Sequence, residues 1–152
     1  EIYLNTNYKD TLFIRIEEYK PIGIYFFNEK YFVFDENGKI IDQIYITDFT
    51  HQSLLIFKGN SSNLKANPLI NILKNNDFEK KYQIESLEFI NKRRWNINLY
   101  SDVKLMLSEE DPNKSIQNFI MIQNKLSEMD INKIKTYDLR NLNKTILINL
   151  ND

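Results

Sequence analysis

The residue types that most often carry catalysis are scarce in this sequence. It contains one histidine, His51, and no cysteine, whereas most nucleophile–base pairs and most zinc sites need an imidazole or a thiolate beside further specific partners. His51 lies in the polar stretch "DFTHQS", which is typical of a loop. No G-x-x-x-x-G-K-[ST], G-x-G-x-x-G or G-x-S-x-G motif occurs. The sequence therefore carries no signature of nucleophilic, zinc or nucleotide chemistry.

Paired carboxylates are the remaining candidates for acid–base chemistry. Glu85 and Glu88, and likewise Glu109 and Glu110, are close enough in sequence to supply the two acids that a glycosidase needs. Such pairs occur in every globular domain of this size, and nothing in the sequence marks either pair as buried. We therefore interpret them as solvated surface residues and keep a cell-wall hydrolase as the alternative.

The segment "NKRRWN" combines basic residues with an aromatic ring, a pattern that can neutralise and stack nucleic acid. The whole chain, however, has 20 basic and 21 acidic residues and a net charge of −1, so no overall field favours a phosphate backbone. Trp95 also falls on the apolar face of a predicted strand, together with Ile97 and Leu99. We therefore predict that Trp95 packs in the core.

Asp138 and Arg140 form a charged pair whose spacing is informative. Residues two apart in a strand share a face, so these two side chains can form an ion pair while Tyr137 and Leu139 point to the other face. The sequence therefore predicts a structural ion pair near the end of this strand.

A second strand-like run, "KTILINL" at residues 144–150, follows after a polar bend. Its alternation predicts a strand packed on one side through Ile146, Ile148 and Leu150. No later segment of this sequence covers the run, and an uncovered strand exposes unpaired N–H and C=O groups that recruit another chain. We therefore predict that this strand is a sheet edge and a docking site.

The elements that must position these residues follow from the apolar patterns. Alternating and continuous apolar runs predominate, and they predict an α+β domain, mainly an antiparallel β-sheet with two helices. Residues 11–46 are interpreted as a meander with a tight turn at Asn37-Gly38.

The two helices are predicted from Asx-Pro pairs. Asn67 and Asp111 can each accept a backbone N–H at a helix N-cap, and Pro68 and Pro112 fit the first helical position, where a missing N–H costs nothing. The sequence therefore predicts one helix after each pair.

The turn after the "RRWNINL" run is fixed by parity, because opposed residues share a face. A two-residue loop would place Lys104 opposite Leu99, whereas a three-residue loop, residues 100–102, places Val103 there and keeps one apolar face. The longer loop requires a left-handed residue at its end, and Asp102 is among the few non-glycine residues that tolerate this conformation. We predict the three-residue loop.

Five segments in the same order resemble the extracytoplasmic part of the bacterial cell-division family FtsQ/DivIB, from Leu12 to Leu150. The segment "TLFIRIEEYKPIGIYF" is similar to the family's "TL.I.V.ER.PVA.W", "FDENGKII" to its "D..G.V", and "LLIFKGNSSNLKANPLI" to its "LP...G" and the helix that follows. "RRWNINLYSDVKLMLSEE" is similar to "RRW...L..G....LPE", and "YDLR" to the closing "IDLR". The sequence departs from the pattern at four places: Tyr19 stands where Arg is frequent, Tyr25 where Trp is usual, Ser101-Asp102 where Asn-Gly is common, and Asn141 where some relatives carry an aromatic residue.

The resemblance implies a single-pass inner-membrane protein with its β domain on the periplasmic side. Residues 1–20 would be the C-terminal strands of a small POTRA domain, and residues 21–152 would be the β domain. It also implies a non-enzymatic scaffold of the division machinery that needs neither a cofactor nor a metal.

In the family, the last strand of the β domain accepts a strand from the partner FtsB, which is joined to FtsL. The arginine of the closing motif, here Arg140, faces an acidic group on that partner. The partner-binding residues implied here are Arg140, Asn141, Leu142, Asn143, Thr145, Leu147 and Asn149. Strand addition needs no catalytic group, because main-chain hydrogen bonds supply affinity and alternate side chains supply selectivity. Two alternatives to the division scaffold are kept: the cell-wall hydrolase named above, and a different POTRA-type assembly factor of the envelope.

Overall fold

The computed structural model describes residues 2–7, 11–16, 18–45 and 53–149, with only the backbone described in the first two strands and at residues 128–129. The strands are β1 Ile2–Asn7, β2 Thr11–Ile16, β3 Gly23–Phe27, β4 Lys30–Phe34, β5 Ile40–Ile44, β6 Ile56–Lys58, β7 Ile84–Ile90, β8 Arg94–Leu99, β9 Val103–Leu107, β10 Ile134–Asn141 and β11 Lys144–Asn149. The helices are α1 Ala66–Asn75, α2 Phe78–Lys81, α3 Pro112–Gln123 and α4 Glu128–Ile131.

Nine strands form one sheet in the order β11-β10-β9-β8-β7-β6-β3-β4-β5. Within the described residues, five of its pairings are antiparallel and three are parallel. The parallel pairs β6–β7 and β9–β10 enclose the two longer helices, α1 and α3, because a parallel return needs a crossover connection. The predicted α+β class, with a mainly antiparallel sheet and two main helices, is confirmed. The single-turn helices α2 and α4 were not predicted.

Strands β1 and β2 pair with each other in a separate two-stranded sheet, with Thr11 opposite Asn7. The meander predicted for residues 11–46 is therefore wrong at its first strand, and only β3, β4 and β5 form it. Alternation along the chain identifies a strand but does not specify its neighbour. The assignment of residues 1–20 to a POTRA domain and of residues 21–152 to a β domain stays a prediction.

The turn between β4 and β5 contains the predicted Asn37-Gly38 pair in a five-residue loop. The Asp35 side chain accepts hydrogen bonds from the backbone N–H groups of Asn37 and Lys39, both at 2.9 Å. Gly38 has a φ of 78°, and a Cβ there would lie 2.8 Å from the Asn63 carbonyl oxygen. Both the backbone conformation and the close approach therefore require glycine at this position.

The hairpin of β8 and β9 has the predicted three-residue loop. Leu99 lies opposite Val103, and Ile97 lies opposite Leu105. Asp102 has a φ of 63°, in the left-handed region. The parity prediction is therefore confirmed, and it succeeds because the loop is local and one face of both strands is buried.

Helix α3 begins as predicted. Asp111 is its N-cap and accepts a hydrogen bond from the Lys114 backbone N–H at 2.8 Å, and Pro112 is its first residue. This bond satisfies one of the N–H groups that a helix leaves unpaired at its start.

Helix α1 begins earlier than predicted. A 3-10 turn over residues 63–65 leads directly into it, so that Ala66 is the first residue and Lys65 occupies the N-cap position without a side-chain cap. The prediction that Asn67 caps this helix is wrong, because the chain is already helical at Asn67. Pro68 is still accommodated in the first turn, where the backbone N–H has no helical partner.

Both longer helices pack on one face of the sheet around a single core. Phe119 of α3 contacts Tyr137 of β10 with ring centroids 4.9 Å apart, and Trp95 lies 5.8 Å from Phe57 and is only 5 % exposed. The prediction that Trp95 packs in the core is confirmed. The core also includes Leu69, Leu73, Leu87, Ile97, Leu105, Leu107, Ile116 and Leu139.

The opposite face of the central strands is polar. Ser86 pairs with Asn98, and Glu88 pairs with Asn96, across β7 and β8. These residues alternate with the apolar ones that face the helices. Ser86 and Asn96 are nevertheless buried, whereas Glu88 and Asn98 are partly exposed. In the described part of the chain, no helix is long and apolar enough to cross a membrane.

Candidate functional site

Strand β11 lies at one end of the nine-stranded sheet. Its one neighbour among the described strands is β10, with Tyr137 opposite Leu147 and Asp138 opposite Ile146. The prediction that this strand is a sheet edge is confirmed. Its side away from β10 carries no strand within residues 2–7, 11–16, 18–45 and 53–149.

The direction of the β11 backbone groups follows from the preceding turn. Asn141 pairs with Lys144 across a two-residue turn, and such a closing pair directs its backbone groups toward each other. Both irregularities of the ladder insert their extra residue in β10, so β11 alternates regularly. Thr145, Leu147 and Asn149 therefore direct their N–H and C=O groups away from β10, toward the open side.

The side chains of β11 are exposed on both faces of the sheet. Ile146 is 49 % exposed, Ile148 is 40 % exposed and Leu147 is 37 % exposed. The prediction that this face is packed is therefore wrong for Ile146 and Ile148, and Leu150, the third residue of the predicted face, lies outside the described residues. The two isoleucines lie opposite Asp138 and Thr136, on the polar face of the sheet, while the helices cover the other face. The edge thus presents apolar side chains together with backbone groups that no described strand pairs.

The turn between β10 and β11 is held in place by two amide side chains. Asn118 of α3 donates its Nδ2–H to the Leu142 carbonyl at 3.2 Å. Asn141 accepts the Asn143 backbone N–H on its side-chain oxygen at 2.9 Å. The turn therefore has a defined position relative to helix α3.

Arg140 and Asp138 form the predicted ion pair. The Nε of Arg140 donates to Oδ1 of Asp138 at 2.8 Å, and its Nη2 donates to Oδ2 at 2.6 Å. The Arg140 backbone N–H also donates to Oδ1, at 3.1 Å. The Asp138 side chain is 13 % exposed, whereas that of Arg140 is 52 % exposed. One end of the pair is therefore anchored in the sheet and the other is accessible.

These contacts shift the pKa values of both Asp138 and Arg140. The hydrogen bonds from Arg140 hold the pKa of Asp138 below its ordinary value, against an opposing effect of burial, and the charge of Arg94 acts in the same direction as Arg140. The side-chain hydrogen bonds to Asp138 and the negative charge of that carboxylate raise the pKa of Arg140. Both groups are therefore ionised at neutral pH.

A cleft of about 790 Å³ lies beside the turn. Arg93 donates to Glu109 across it at 3.3 Å, and Arg94 donates to the Asn96 side chain at 2.8 Å. The cleft is lined by Arg93, Arg94, Ser108, Glu109, Glu110, Arg140, Asn141, Leu142 and Asn143. Its charged lining suits an ionic or hydrogen-bonding ligand group better than an apolar one.

The structure groups the predicted site residues into two adjoining surfaces. Arg140, Asn141, Leu142 and Asn143 line the cleft, and Thr145, Leu147 and Asn149 follow along the open edge. Their binding role stays a prediction.

Sequence reasoning missed two parts of these surfaces. Arg93 and Arg94 were noticed only as a basic cluster, and the cleft was not predicted because the two arginines meet Arg140 through pairing between distant segments. Ile146 and Ile148 were assigned to a packed face, although their partners on the preceding strand are the polar residues Asp138 and Thr136.

The alternative catalytic groups do not form a site in the described part of the chain. Glu85, Glu109 and Glu110 are exposed and Glu88 is half-buried, so neither pair has the buried acid that acid catalysis needs. No cluster of metal-ligating side chains occurs among the described residues. His51 lies outside the described residues.

The comparisons with known proteins agree on one family. Residues 25–140 match the family model described as "Cell division protein FtsQ/DivIB, C-terminal". The chain is 28 % identical to proteins named "Cell division protein FtsQ" from Rickettsia typhi and Rickettsia prowazekii over 144 residues, and 29 % identical to that of Rickettsia bellii over 149 residues. Each alignment covers 95 % of this chain and 52 % of the relative. The chain thus spans about half the length of the curated relatives it matches.

Proposed function

The chain belongs to the FtsQ/DivIB family of cell-division proteins, and we propose that it is a non-enzymatic scaffold of the bacterial division machinery. Its edge strand β11 accepts a strand from a partner of the FtsB type, which is joined to an FtsL-type protein. The observation that carries this proposal is the position of β11 at the end of the sheet.

Strand addition accounts for the features of this edge. The outward backbone groups at Thr145, Leu147 and Asn149 supply a row of hydrogen bonds, which give affinity independent of side chains. The exposed Ile146 and Ile148 lose contact with water when the side chains of an added strand lie beside them. Burying such side chains stabilises the complex, by roughly 25 cal/mol for each Å² of apolar surface. A long apolar edge is otherwise an aggregation risk, which supports a role in binding.

The cleft next to the turn would fix the register of the added strand. Arg140 is charged, half-exposed and held in one orientation by Asp138, so it can pair with an acidic group of the partner. Charge-assisted hydrogen bonds of arginine to a carboxylate are directional. If the added strand slipped by one residue, its acidic group would no longer meet Arg140, and the side chains on its two faces would be exchanged.

The wider setting is part of the same proposal. The β domain would lie on the periplasmic side of the inner membrane, preceded by a POTRA domain and tethered by a transmembrane helix upstream of residue 1. The separation of β1 and β2 from the nine-stranded sheet supports a boundary near residue 20.

Substitution of Thr145 by proline tests the proposal. Proline removes one outward N–H, and its ring blocks the approach of a neighbouring backbone, whereas an edge strand tolerates it on its solvent side. We expect Thr145→Pro to abolish binding of the co-expressed FtsB-type and FtsL-type pair in a pull-down, and to leave the circular dichroism spectrum unchanged.

Thr145→Ala is the matched control, because it removes the side chain and keeps the backbone N–H. It should bind the pair within about threefold of the unmodified chain. Equal binding by the proline variant and by the alanine variant would exclude strand addition at β11.

A further inference from the structure

The ion pair at the end of β10 occupies only some of the N–H donors of the Arg140 guanidinium group. Asp138 accepts from Nε and from Nη2 of Arg140, which is the lateral edge of the guanidinium group. An arginine has five N–H donors in a fixed plane, so three remain: both hydrogens of Nη1 and the second hydrogen of Nη2. Two of them, one on Nη1 and one on Nη2, lie along the distal edge away from Asp138, and the second hydrogen of Nη1 points back along the Cδ side of the group.

The orientation of Arg140 is fixed from the strand. Asp138 receives the Arg140 backbone N–H at 3.1 Å in addition to the two side-chain bonds, and its own side chain is largely buried. The carboxylate is therefore a rigid anchor, whereas the guanidinium is half-exposed and lines the cleft. An unanchored arginine would have to lose the freedom of several rotatable bonds on binding.

The negative charge of Asp138 makes it possible to distinguish two roles, orientation of Arg140 and a contribution to the net charge that attracts an acidic partner. A carboxylate at this place partly cancels the charge of Arg140 and repels an acidic ligand group. The hydrogen bonds from Arg140 keep this carboxylate ionised, and the charge of Arg94 acts in the same direction. If attraction by net charge were what mattered, Asp138 would weaken the binding of an acidic partner.

We propose that Asp138 is a positioning residue for partner recognition: it holds Arg140 by the lateral edge so that a carboxylate of the added chain is received by Nη1 and Nη2 on the distal edge. This inference rests on the proposed function and specifies the chemistry of that site. The partner group is a single carboxylate that approaches the guanidinium end-on in its plane, with two parallel hydrogen bonds.

The test measures binding of the co-expressed FtsB-type and FtsL-type pair by surface plasmon resonance. Asp138→Asn keeps the shape of the side chain but removes its charge and one acceptor for the arginine. We expect Asp138→Asn to weaken binding about five- to tenfold, chiefly through faster dissociation, since ordering a flexible side chain on binding costs about this factor. Unchanged or tighter binding by Asp138→Asn would overturn the proposal.

A second variant separates positioning from a general structural effect. Lysine at position 140 keeps the charge but cannot be held by the lateral edge of a planar group. Arg140→Lys should weaken binding about tenfold in the unmodified chain, and less than threefold in the Asp138→Asn background, because the orientation is already lost there. Equal losses in both backgrounds would contradict positioning.

The free protein provides a readout that does not depend on the partner. The Nε–H signal of Arg140 should be resolved and slow to exchange in the NMR spectrum of the unmodified chain, and it should broaden in Asp138→Asn. A signal that is unchanged by the substitution would overturn the proposed positioning.

The two proposals fail in different ways. If the unmodified chain does not bind the pair, or if Thr145→Pro binds normally, strand addition fails and the positioning role fails with it. If the unmodified chain binds and Thr145→Pro does not, while Asp138→Asn binds as well as the unmodified chain, only the positioning role is overturned.

Discussion

The Asp138–Arg140 pair shows how two residues of one strand prepare a surface for recognition. Exposed ion pairs contribute little to stability, since water screens the charges and two long side chains must be ordered. This pair differs because its carboxylate is mostly buried and accepts three hydrogen bonds from a single residue. A buried carboxylate with satisfied acceptors is a stable anchor, so the pair joins the rigid sheet to an accessible charge.

The stability of the domain should depend on pH through Asp138. Its pKa in the folded state lies below the ordinary value of 3.8, so the pair stabilises the fold fully above that pH and loses this contribution as the pH falls through the lowered pKa. We expect the unmodified chain to exceed Asp138→Asn in its free energy of unfolding by about 1 kcal/mol at pH 7. The difference should shrink below pH 3.8.

Urea denaturation of both proteins between pH 7 and pH 2.5 measures this difference. Chloride and total ionic strength should be held constant, because salt screens the exposed side of the pair. A difference that is already zero at pH 7, or that persists unchanged at the acid end, would contradict this assignment.

At the scale of elements, helix α3 fixes the position of the edge through one buried hydroxyl. Ser115 accepts the Ser108 backbone N–H at 2.9 Å and lies 3.1 Å from the Leu139 carbonyl oxygen, to which it can donate. Ser108 directly follows β9, and Leu139 belongs to β10. The hydroxyl therefore connects the helix to two neighbouring strands beside the cleft.

Ser115→Ala should destabilise the domain by about 2 kcal/mol, because it leaves a buried N–H and a buried carbonyl without this partner. The measurement is the urea midpoint, with Ser101→Ala in the exposed loop after β8 as the control, which should shift stability by less than about 0.5 kcal/mol. Equal effects of the two substitutions would show that the hydroxyl contributes nothing to holding α3.

The same elements show what the sequence can predict. The β8–β9 hairpin was predicted with its register, because parity and the left-handed tolerance of Asp102 are local properties. The start of α3 was predicted from Asp111 and Pro112 for the same reason. The start of α1 was missed, since the preceding 3-10 turn has no strong composition signal.

Pairings between distant segments could not be predicted. The parallel return of β10 onto β9 and the union of β3 with β6 depend on packing across the whole core. The candidate site likewise has one part that depends on local sequence and one that depends on pairing between distant segments. The Asp138–Arg140 pair was predictable from a spacing of two residues, whereas its meeting with Arg93 and Glu109 at one cleft required the fold.

At the scale of the whole molecule, the nine-stranded sheet ends in two edge strands, β11 and β5. Both expose an isoleucine to a similar extent, with Ile40 40 % exposed on β5 and Ile148 40 % exposed on β11. Only β11 adjoins the charged cleft beside Arg140. Exposed apolar side chains therefore do not by themselves identify the binding edge. What distinguishes β11 is that its open side adjoins a charged residue, Arg140, which can fix the register of an added strand.

Backbone amide exchange with and without the FtsB-type and FtsL-type pair tests the central claim most directly, because it reports each hydrogen bond at both edges. The account predicts that the outward amides of Thr145, Leu147 and Asn149 exchange rapidly in the free chain and become strongly protected in the complex, while the amides of β5 are unchanged. Unchanged exchange at these three amides in a formed complex, or new protection confined to β5, would contradict it.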